Sequence, residues 1–498
     1  MKKRSSGVLM HISSLNGEFG IGSMGEEAYK FVDFLVKAGQ KYWQILPLGH
    51  TSYGDSPYQC FSAFAGNPHF IDFKILCDEG LLHENDYKFK NFGENPERVD
   101  YGLIFNLRNE ILKKAYENFK TENLIEYRGF EYEKFKQENK FWLEEYSLYM
   151  AVKEHFGLVS WKEWDEDIRD RREEAICRYK EQLKDKIEYY NFIQFTFFKQ
   201  WNNLKQYANS KGIEIIGDIP IYVAEDSADM WSNPKLFKVN EDNTLKVVAG
   251  CPPDAFAVTG QLWGNPIYDW DKMQEDGYSW WILRIRESFK LYDMVRIDHF
   301  RGFESYWQIP YGDKTAENGE WVKGPGIKLF NAIKEALGDV NIIAEDLGFM
   351  TDEVIEFRDE TGFPGMKVLQ FGFGGDDSTD LPHNYINNSV AYTGTHDNDT
   401  ICGWFENNNS DSEIKKANEY LLLNEEEGKS FGFVRGIWGS VSFLAIATMQ
   451  DLLGLGSESR MNTPSILGGN WQWRIKEGQL TDELAKRLYD LTKLYGRL

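Results

Sequence analysis

The sequence predicts an α/β protein, a parallel (β/α)8 TIM barrel that carries a helical inserted subdomain and further loop and hairpin insertions. Eight short apolar, β-rich runs recur along the 498 residues, each followed by glycines and polar residues. Amphipathic helical patterns lie between several of these runs. Acidic residues follow four of the runs. Alternating strands and helices are typical of a parallel barrel, and its active site lies where the strands end.

The barrel strands are predicted from apolar, β-branched composition, and the helices between them from apolar residues at three- and four-residue spacing. The predicted helices include residues 25–38, 279–292 and 327–337. The eight predicted strands are residues 7–12, 42–46, 213–216, 294–297, 341–344, 366–370, 389–392 and 443–447.

The spacing of the strands is uneven, which predicts insertions in one catalytic barrel that spans residues 1–498. The longest, at about 75–205, is charged and helical in pattern, and we expect an inserted helical subdomain that packs its own apolar stripe. A second, at about 229–271, is expected to hold an active-site loop and a β-hairpin that turns at Asp242 and Asn243. A third spans residues 306–326.

Composition excludes several classes of partner. The formal net charge is −23 and the mean hydropathy is −0.52, which argues against nucleic acid or an anionic membrane as a partner. No apolar run reaches the roughly 18 residues of a membrane span. The five cysteines are scattered and the basic start is read as the first strand, so we expect a cytoplasmic protein.

Two cofactor hypotheses are weak. Residues 20–25 match GxGxxG, but these glycines come eight residues after the first strand, and the second strand ends in Gln44–Pro47 where a dinucleotide site needs an acid. Metal-dependent hydrolysis could use His11, His299, His396 and Asp397, yet no HExxH or strand-one HxH occurs. We therefore expect no cofactor and no metal.

The carboxylates at the strand ends carry the chemical argument. Asp218, Asp298, Glu345 and Asp397 follow the third, fourth, fifth and seventh predicted strands, so they are expected at one rim. Glycosidic bond cleavage needs one acid that protonates the departing oxygen and a second carboxylate at the sugar carbon. Arg296, on the same side of its strand as Asp298, is suited to keep Asp298 ionised, and Glu345 is the natural proton donor.

A non-catalytic glucan-binding protein is a further alternative. Aromatic residues make up 15% of the chain, with 16 Trp, and pyranose rings stack on flat aromatic side chains. Ordinary core packing accounts for most of these residues. A binding protein would not require the cluster of carboxylates, which favours an enzyme.

Seven short motifs occur in a fixed order and span nearly the whole chain. They are GDSPYQ at 54–59, GDIPIYV at 217–223, GQLWGNP at 260–266, RIDHFRG at 296–302, AEDLG at 344–348, THDN at 395–398 and RMNTP at 460–464. Each is weak alone, and together they closely resemble the motifs of the amylomaltases, the 4-α-glucanotransferases of the α-amylase clan.

The resemblance implies a role for each matching residue. Asp298 would be the nucleophile, Glu345 the general acid and then base, and Asp397 the group that stabilises the transition state. Many relatives carry an aromatic residue where this sequence has Ala255, next to the expected lid residue Phe256. The implied sugar-binding residues are Tyr58, Asp218, Phe256, Trp263, Arg296, His299 and His396.

The resemblance also implies substrate and mechanism. Segments of α-1,4-glucans would be moved between malto-oligosaccharides, or to glucose, by a retaining double displacement. Such a mechanism predicts that the carboxyl groups of Asp298 and Glu345 lie roughly 5–5.5 Å apart. An α-glucan hydrolase using the same three acids is the alternative, because the residues alone do not separate transfer from hydrolysis.

Overall fold

The computed structural model describes residues 3–52, 54–121, 124–253, 258–375, 378–407 and 410–498, and for 124–128 the backbone alone. Its strands, in chain order, are β1 Ser5–Leu9, β2 Tyr42–Gln44, β3 Glu214–Pro220, β4 Val247–Cys251, β5 Gln261–Pro266, β6 Met294–Asp298, β7 Ser305–Pro310, β8 Glu320–Lys323, β9 Ile342–Ala344, β10 Gly365–Val368, β11 Ser389–Tyr392 and β12 Leu444–Thr448.

The strands form a closed parallel barrel in the order β1, β2, β3, β6, β9, β10, β11 and β12, and β12 pairs back with β1. Every one of the eight predicted runs overlaps one of these strands, so the predicted barrel is confirmed. Strand β3 continues to Pro220 and therefore contains Asp218, which the sequence placed just after the strand. The extension lets Asp218 pair in register with Arg296 of β6.

Helices surround the barrel, and the three helices predicted above correspond to α1, α11 and α12. The helices in the described chain are α1 Glu26–Lys37, α2 Phe73–Asp78, α3 Tyr101–Thr121, α4 Leu124–Glu138, α5 Lys140–His155, α6 Glu166–Arg169, α7 Glu173–Gln182, α8 Lys184–Ser210, α9 Ala228–Ser232, α10 Trp270–Glu275, α11 Ser279–Leu291, α12 Ile327–Leu337, α13 Asp352–Thr361, α14 Ile401–Asn407, α15 Asp411–Leu421, α16 Lys429–Gly439, α17 Met449–Leu453 and α18 Asp482–Leu494. No helix of the described residues has both the length and the apolar character of a membrane span.

Helices α2 to α8 occupy the segment between β2 and β3. The apolar stripe of α8 is buried, with Phe197, Trp201 and Leu204 fully inaccessible to solvent. These residues belong to the same buried cluster as Trp43 of the barrel, so the segment has no separate core. Whether it behaves as a subdomain with the limits 75–205 stays a prediction.

The segments that follow β3 and β6 together form a second sheet outside the barrel. Strands β5, β4, β7 and β8 make this antiparallel accessory sheet in that order. The chain turns near Asp242 and Asn243, where Asn240 N–H donates to the Thr244 carbonyl at 2.8 Å. Of the two strands expected around this turn, β4 forms and joins the accessory sheet, while the first contributes an isolated bridge between Val239 and Leu245.

Barrel closure depends on residues far apart in the chain. Strand β1 pairs with β12 from Ser5 opposite Leu444 to Leu9 opposite Thr448. The fully buried Arg497 guanidinium donates to the carbonyl oxygen of Ser5 at 2.8 Å, and other bonds hold it to carbonyls near β12. The Arg497 side chain thus ties the start of β1 to the segment that precedes β12.

Candidate active site

The four predicted acids lie on barrel strands or directly after them, at the rim where the parallel strands end. Asp218 lies in β3 and Asp298 is the last residue of β6. Glu345 follows β9, and Asp397 lies on the turn after β11. This rim carries the active site in barrels of this type.

Arg296 joins two of these acids. Its Nη1 lies 2.6 Å from Oδ2 of Asp218, and its Nη2 lies 2.9 Å from Oδ1 of Asp298. Its Nε donates to the Sδ of Met366 at 3.4 Å. Burial lowers the pKa of Arg296, but the charges of Asp218 and Asp298 outweigh that effect and leave the pKa well above its usual value. A permanent cation is thereby fixed beside Asp298.

Asp218 is fully buried and shares its Oδ2 between two donors. Besides Arg296, the hydroxyl of Tyr58 donates to this oxygen at 2.8 Å. Burial raises the pKa of Asp218 and the charge of Arg296 opposes that rise. Burial, followed by the charge of Asp218, raises the pKa of Tyr58. The phenol therefore stays a hydrogen-bond donor at physiological pH.

Glu345 is held by two backbone groups. The N–H of His299 donates to Oε2 at 2.7 Å and the N–H of Leu347 to Oε1 at 2.9 Å. Burial, and then the negative charge of Asp298, raises the pKa of Glu345 to about 8, against the opposing effects of Arg296 and the two N–H groups. Glu345 is therefore mostly protonated at pH 7, as a general acid must be.

His299 adopts a left-handed conformation directly after β6, with φ of 52°. Such a conformation is uncommon for a residue with a side chain, and strained positions of this kind cluster at active sites. Its ring meets that of Trp263 edge to face, with centroids 4.8 Å apart. Burial, with a smaller contribution from Arg301, lowers the pKa of His299 to about 3, so the ring is neutral.

Asp397 is more exposed than Asp218 and Asp298 and is positioned by neighbours from the 460–462 segment. The side chain of Asn462 donates to its Oδ1 at 2.6 Å, and Arg460 donates to its backbone carbonyl at 2.6 Å. The Nε2 of His396 lies 3.4 Å from the same Oδ1. The His396 ring stacks on Tyr58 with an interplanar angle of 17° and a centroid separation of 5.1 Å.

A continuous series of contacts connects the predicted residues. It leads from Asp397 through His396 and Tyr58 to Asp218, and on through Arg296 to Asp298. Glu345, His299 and Trp263 form the adjoining group. Phe256 lies outside the described residues, so its expected position over the glucan stays a prediction.

Sequence reasoning gave no role to several residues of the site. Met366, Trp471 and Asn462 belong to it through contacts with Arg296, Tyr58 and Asp397 respectively. Asn462 lies within the RMNTP motif, so the motif was a signal in the sequence that could have identified this residue. Met366 is the second residue of β10 and reads as core from its apolar neighbours. Trp471 has a left-handed backbone in a loop, which no periodicity indicates.

A (β/α)8 barrel with several acids at its carboxyl rim, of which Glu345 has a raised pKa and Asp298 pairs with a cation, defines an enzyme of the glycoside-processing class. Known proteins agree with this class. A family model described as 4-alpha-glucanotransferase matches residues 10–481. The 4-alpha-glucanotransferase of Clostridium butyricum is 58% identical to this chain, and the match covers 98% of this chain and 100% of the relative. The 4-alpha-glucanotransferase of Streptococcus pneumoniae is also 58% identical, and the match covers 100% of this chain and 98% of the relative.

A solved structure gives the same result. The amylomaltase from Streptococcus agalactiae in complex with acarbose has a TM-score of 0.97 and 48% identity, covering 99% of this chain and 100% of that one. The chain therefore belongs to the 4-α-glucanotransferase family and is a glucan-transferring enzyme. These matches do not favour the α-glucan hydrolase.

Proposed function

We propose that the chain moves α-1,4-glucan segments between malto-oligosaccharides, or to glucose, by double displacement with retention, and that Asp298, Glu345 and Asp397 carry the reaction. The acarbose complex of the amylomaltase supports this substrate class. The central observation is the contrast between two neighbouring acids. Glu345 has a pKa of about 8, whereas Asp298 is paired with the permanent cation of Arg296.

In the first half-reaction, Asp298 attacks the anomeric carbon while Glu345 protonates the oxygen of the departing glucan. The bond between that oxygen and the sugar carbon breaks as the bond to the Asp298 carboxylate forms. Burial and the charge of Asp298 keep the proton on Glu345 until the leaving oxygen needs it. The released glucan leaves with this proton.

In the second half-reaction, Glu345 has lost its proton and acts as a base. It takes the proton from a hydroxyl of an acceptor glucan, and that oxygen attacks the sugar carbon and displaces Asp298. Two inversions at one carbon give net retention. We assign Trp263 to the acceptor side, because its ring packs on His299 beside Glu345.

Asp397 is assigned to the sugar itself. Asn462 fixes its Oδ1, and the partial exposure of the side chain suits contact with sugar hydroxyls and with positive charge at the sugar carbon. We assign Tyr58, which stacks on His396, to the same sugar, with its ring as the contact surface. Asp218 and Arg296 act behind the nucleophile, and His299 and His396 border the site.

The test is to incubate the protein with maltotriose and resolve the products. Glucose together with a ladder of longer oligosaccharides, at a constant number of reducing ends, is the expected result. Shorter sugars with rising reducing ends would identify a hydrolase, and an unchanged substrate would identify a binding protein. Asp298→Asn serves as the inactive control for contaminating enzymes.

We also propose a cytoplasmic location and no nucleic-acid or membrane partner. The scattered cysteines support the first statement, because a reducing compartment suits free thiols. The net charge of −23 supports the second. Fractionation of cells that express the protein, with detection in cytosolic and membrane fractions, tests the location.

A further inference from the structure

The accessory sheet carries an apolar row on one face. Gly250 of β4 pairs with Leu262 of β5 on one side and with Trp307 of β7 on the other. Trp307 in turn pairs with Trp321 of β8. Directly paired residues of an antiparallel sheet project to the same face, so Leu262, Trp307 and Trp321 form a row across four strands. Leu262 and Trp321 are 40% and 39% exposed.

Arg301 connects this row to a further exposed ring, that of Phe349. Its guanidinium carbon lies 4.0 Å from the ring centre of Trp321 and 6.0 Å from that of Phe349. Arg301 is itself buried, held by the Phe349 carbonyl and by the Ser305 hydroxyl. The Trp321 ring, which also meets Trp307 edge to face with centroids 5.3 Å apart, is backed by this guanidinium and is still 39% exposed. Phe349 is 69% exposed.

The Trp321 end of the row is connected to the active site through Arg301. Arg301 lies two residues after His299, in the short helical turn Phe300–Phe303 that follows β6. Trp263 follows Leu262 on β5 and therefore projects to the opposite face of the accessory sheet, where it contacts the ring of His299. The exposed rings of Trp321 and Phe349, which both lie against Arg301, thus adjoin the turn that carries His299, beside the assigned acceptor side of the cleft.

We propose that Leu262, Trp321 and Phe349 form a second glucan-binding surface, which holds a distant part of a long α-glucan whose reacting end lies in the cleft. The inference rests on the proposed function for its ligand class. Exposed apolar groups that cluster on a soluble protein usually mark a binding site. Flat rings with a rigid backing, here a buried guanidinium, suit the apolar faces of successive pyranose rings and require little ordering upon binding.

Retardation in native gels that contain amylose or glycogen measures this surface independently of catalysis. Phe349→Ala and Trp321→Ala should each weaken the apparent affinity for amylose by roughly threefold to tenfold, since each removes one exposed ring. Trp321→Phe keeps a ring over Arg301 and should retain most of the affinity. The matched controls are Phe89→Ala and Phe130→Ala, whose rings are 82% and 79% exposed elsewhere.

Kinetics with two substrates provide the second measurement. Phe349→Ala should raise KM for amylose and leave kcat and KM for maltotriose unchanged, because a short substrate does not extend beyond the cleft. Unchanged amylose retardation in the Phe349→Ala, Trp321→Ala double variant would overturn the proposal, as would equal losses in the two controls. A change of oligomeric state in the double variant, without loss of amylose binding, would instead identify a protein-binding surface.

The test of this second surface can fail or succeed independently of the test of the proposed function. Asp298→Asn should abolish transfer and keep full retardation by amylose. If the wild-type protein transfers no glucan and is still retarded through Phe349 and Trp321, the surface stands and the proposed function fails. If transfer proceeds and retardation does not depend on these rings, the surface fails alone.

Discussion

The guanidinium of Arg296 lies 2.9 Å from Oδ1 of Asp298, the residue two positions further along the same strand. The alternation of side chains along β6 places both on one side, and the register with β3 brings Asp218 to the opposite end of the same guanidinium. The Arg296 cation thus pairs with a buried acid, Asp218, and with a partly exposed acid, Asp298. This arrangement leads to the predictions that follow.

Asp298→Asn should lower kcat at least about 10⁴-fold, because the amide cannot form the glycosyl ester. Transfer from maltotriose, followed by product separation, measures the loss. Asp242→Asn, in an exposed turn, is the matched control and should retain wild-type activity. Near-normal activity of Asp298→Asn would remove this residue from the role of nucleophile.

Glu345 should set the alkaline limit of the reaction. Its folded-state pKa of about 8 lies above the usual 4.5, so the protonated form needed for the first half-reaction is present below pH 8 and is lost above it. We expect kcat/KM to fall with rising pH above about 8, and Glu345→Gln to lack this limb. A donor whose leaving group needs no protonation, such as a glucosyl fluoride, should restore the first half-reaction in the variant. An unchanged alkaline limb in Glu345→Gln would assign it to another group.

The same pKa predicts a cost in stability. Between pH 4.5 and pH 8 the unfolded state releases the proton that folded Glu345 retains, so this group lowers the free energy of unfolding as pH rises. Glu345→Gln removes the effect and should stabilise the protein by on the order of 2–4 kcal/mol at pH 8, and by much less at pH 5. Denaturant unfolding at both pH values measures the difference. Equal gains at the two pH values would show that the titration of Glu345 is not the cause.

Tyr58→Phe should separate the hydrogen bond of this residue from its stacking. The variant loses the donor to Asp218 and keeps a ring on His396. A hydrogen bond to a charged acceptor contributes about 1.5–3 kcal/mol, so kcat/KM should fall by roughly tenfold to a hundredfold. Tyr58→Ala also removes the ring and should lose more. Equal activity of the Phe and Ala variants would mean that the ring contributes nothing.

Asn462→Ala should free the carboxylate of Asp397 and lower kcat by roughly tenfold, since a donor at 2.6 Å is lost. Asn462→Asp replaces the donor by a second carboxylate beside Asp397 and should lower kcat further than the Ala variant, because the two like charges repel each other. Transfer from maltotriose, measured for both variants, checks this order. Equal activity of the Ala and Asp variants would show that the charge at position 462 has no influence on Asp397.

The barrel could be predicted in full because its strands are short, apolar runs separated by helices with a different period. All eight runs are strands, and the acids after them share one rim, as a parallel barrel requires. The resemblance to the amylomaltases supplied the assignment of roles. The carboxyl separation of Asp298 and Glu345 stays a prediction.

What escaped prediction depends on contacts between distant parts of the chain. The pairing of Asp218 with Arg296 follows from strand register, which becomes fixed only when the barrel closes. The left-handed conformation of His299 is a local exception that the surrounding structure enforces. The contact between Asn462 and Asp397 joins two loops with no common periodicity. The strands expected on either side of Asp242 and Asn243 meet in the bridge between Val239 and Leu245, and the pairing of β4 with β7 brings in a segment that is distant in the chain.

The pairing of β1 with β12 has a consequence for synthesis. One side of β1 has no partner until residues 444–448 leave the ribosome, which at ordinary translation rates takes on the order of tens of seconds. During that interval an apolar strand has an open hydrogen-bonding edge, a template for association with other chains. Production of this protein should therefore be sensitive to translation speed, temperature and chaperone supply, even though the finished barrel has no open edge.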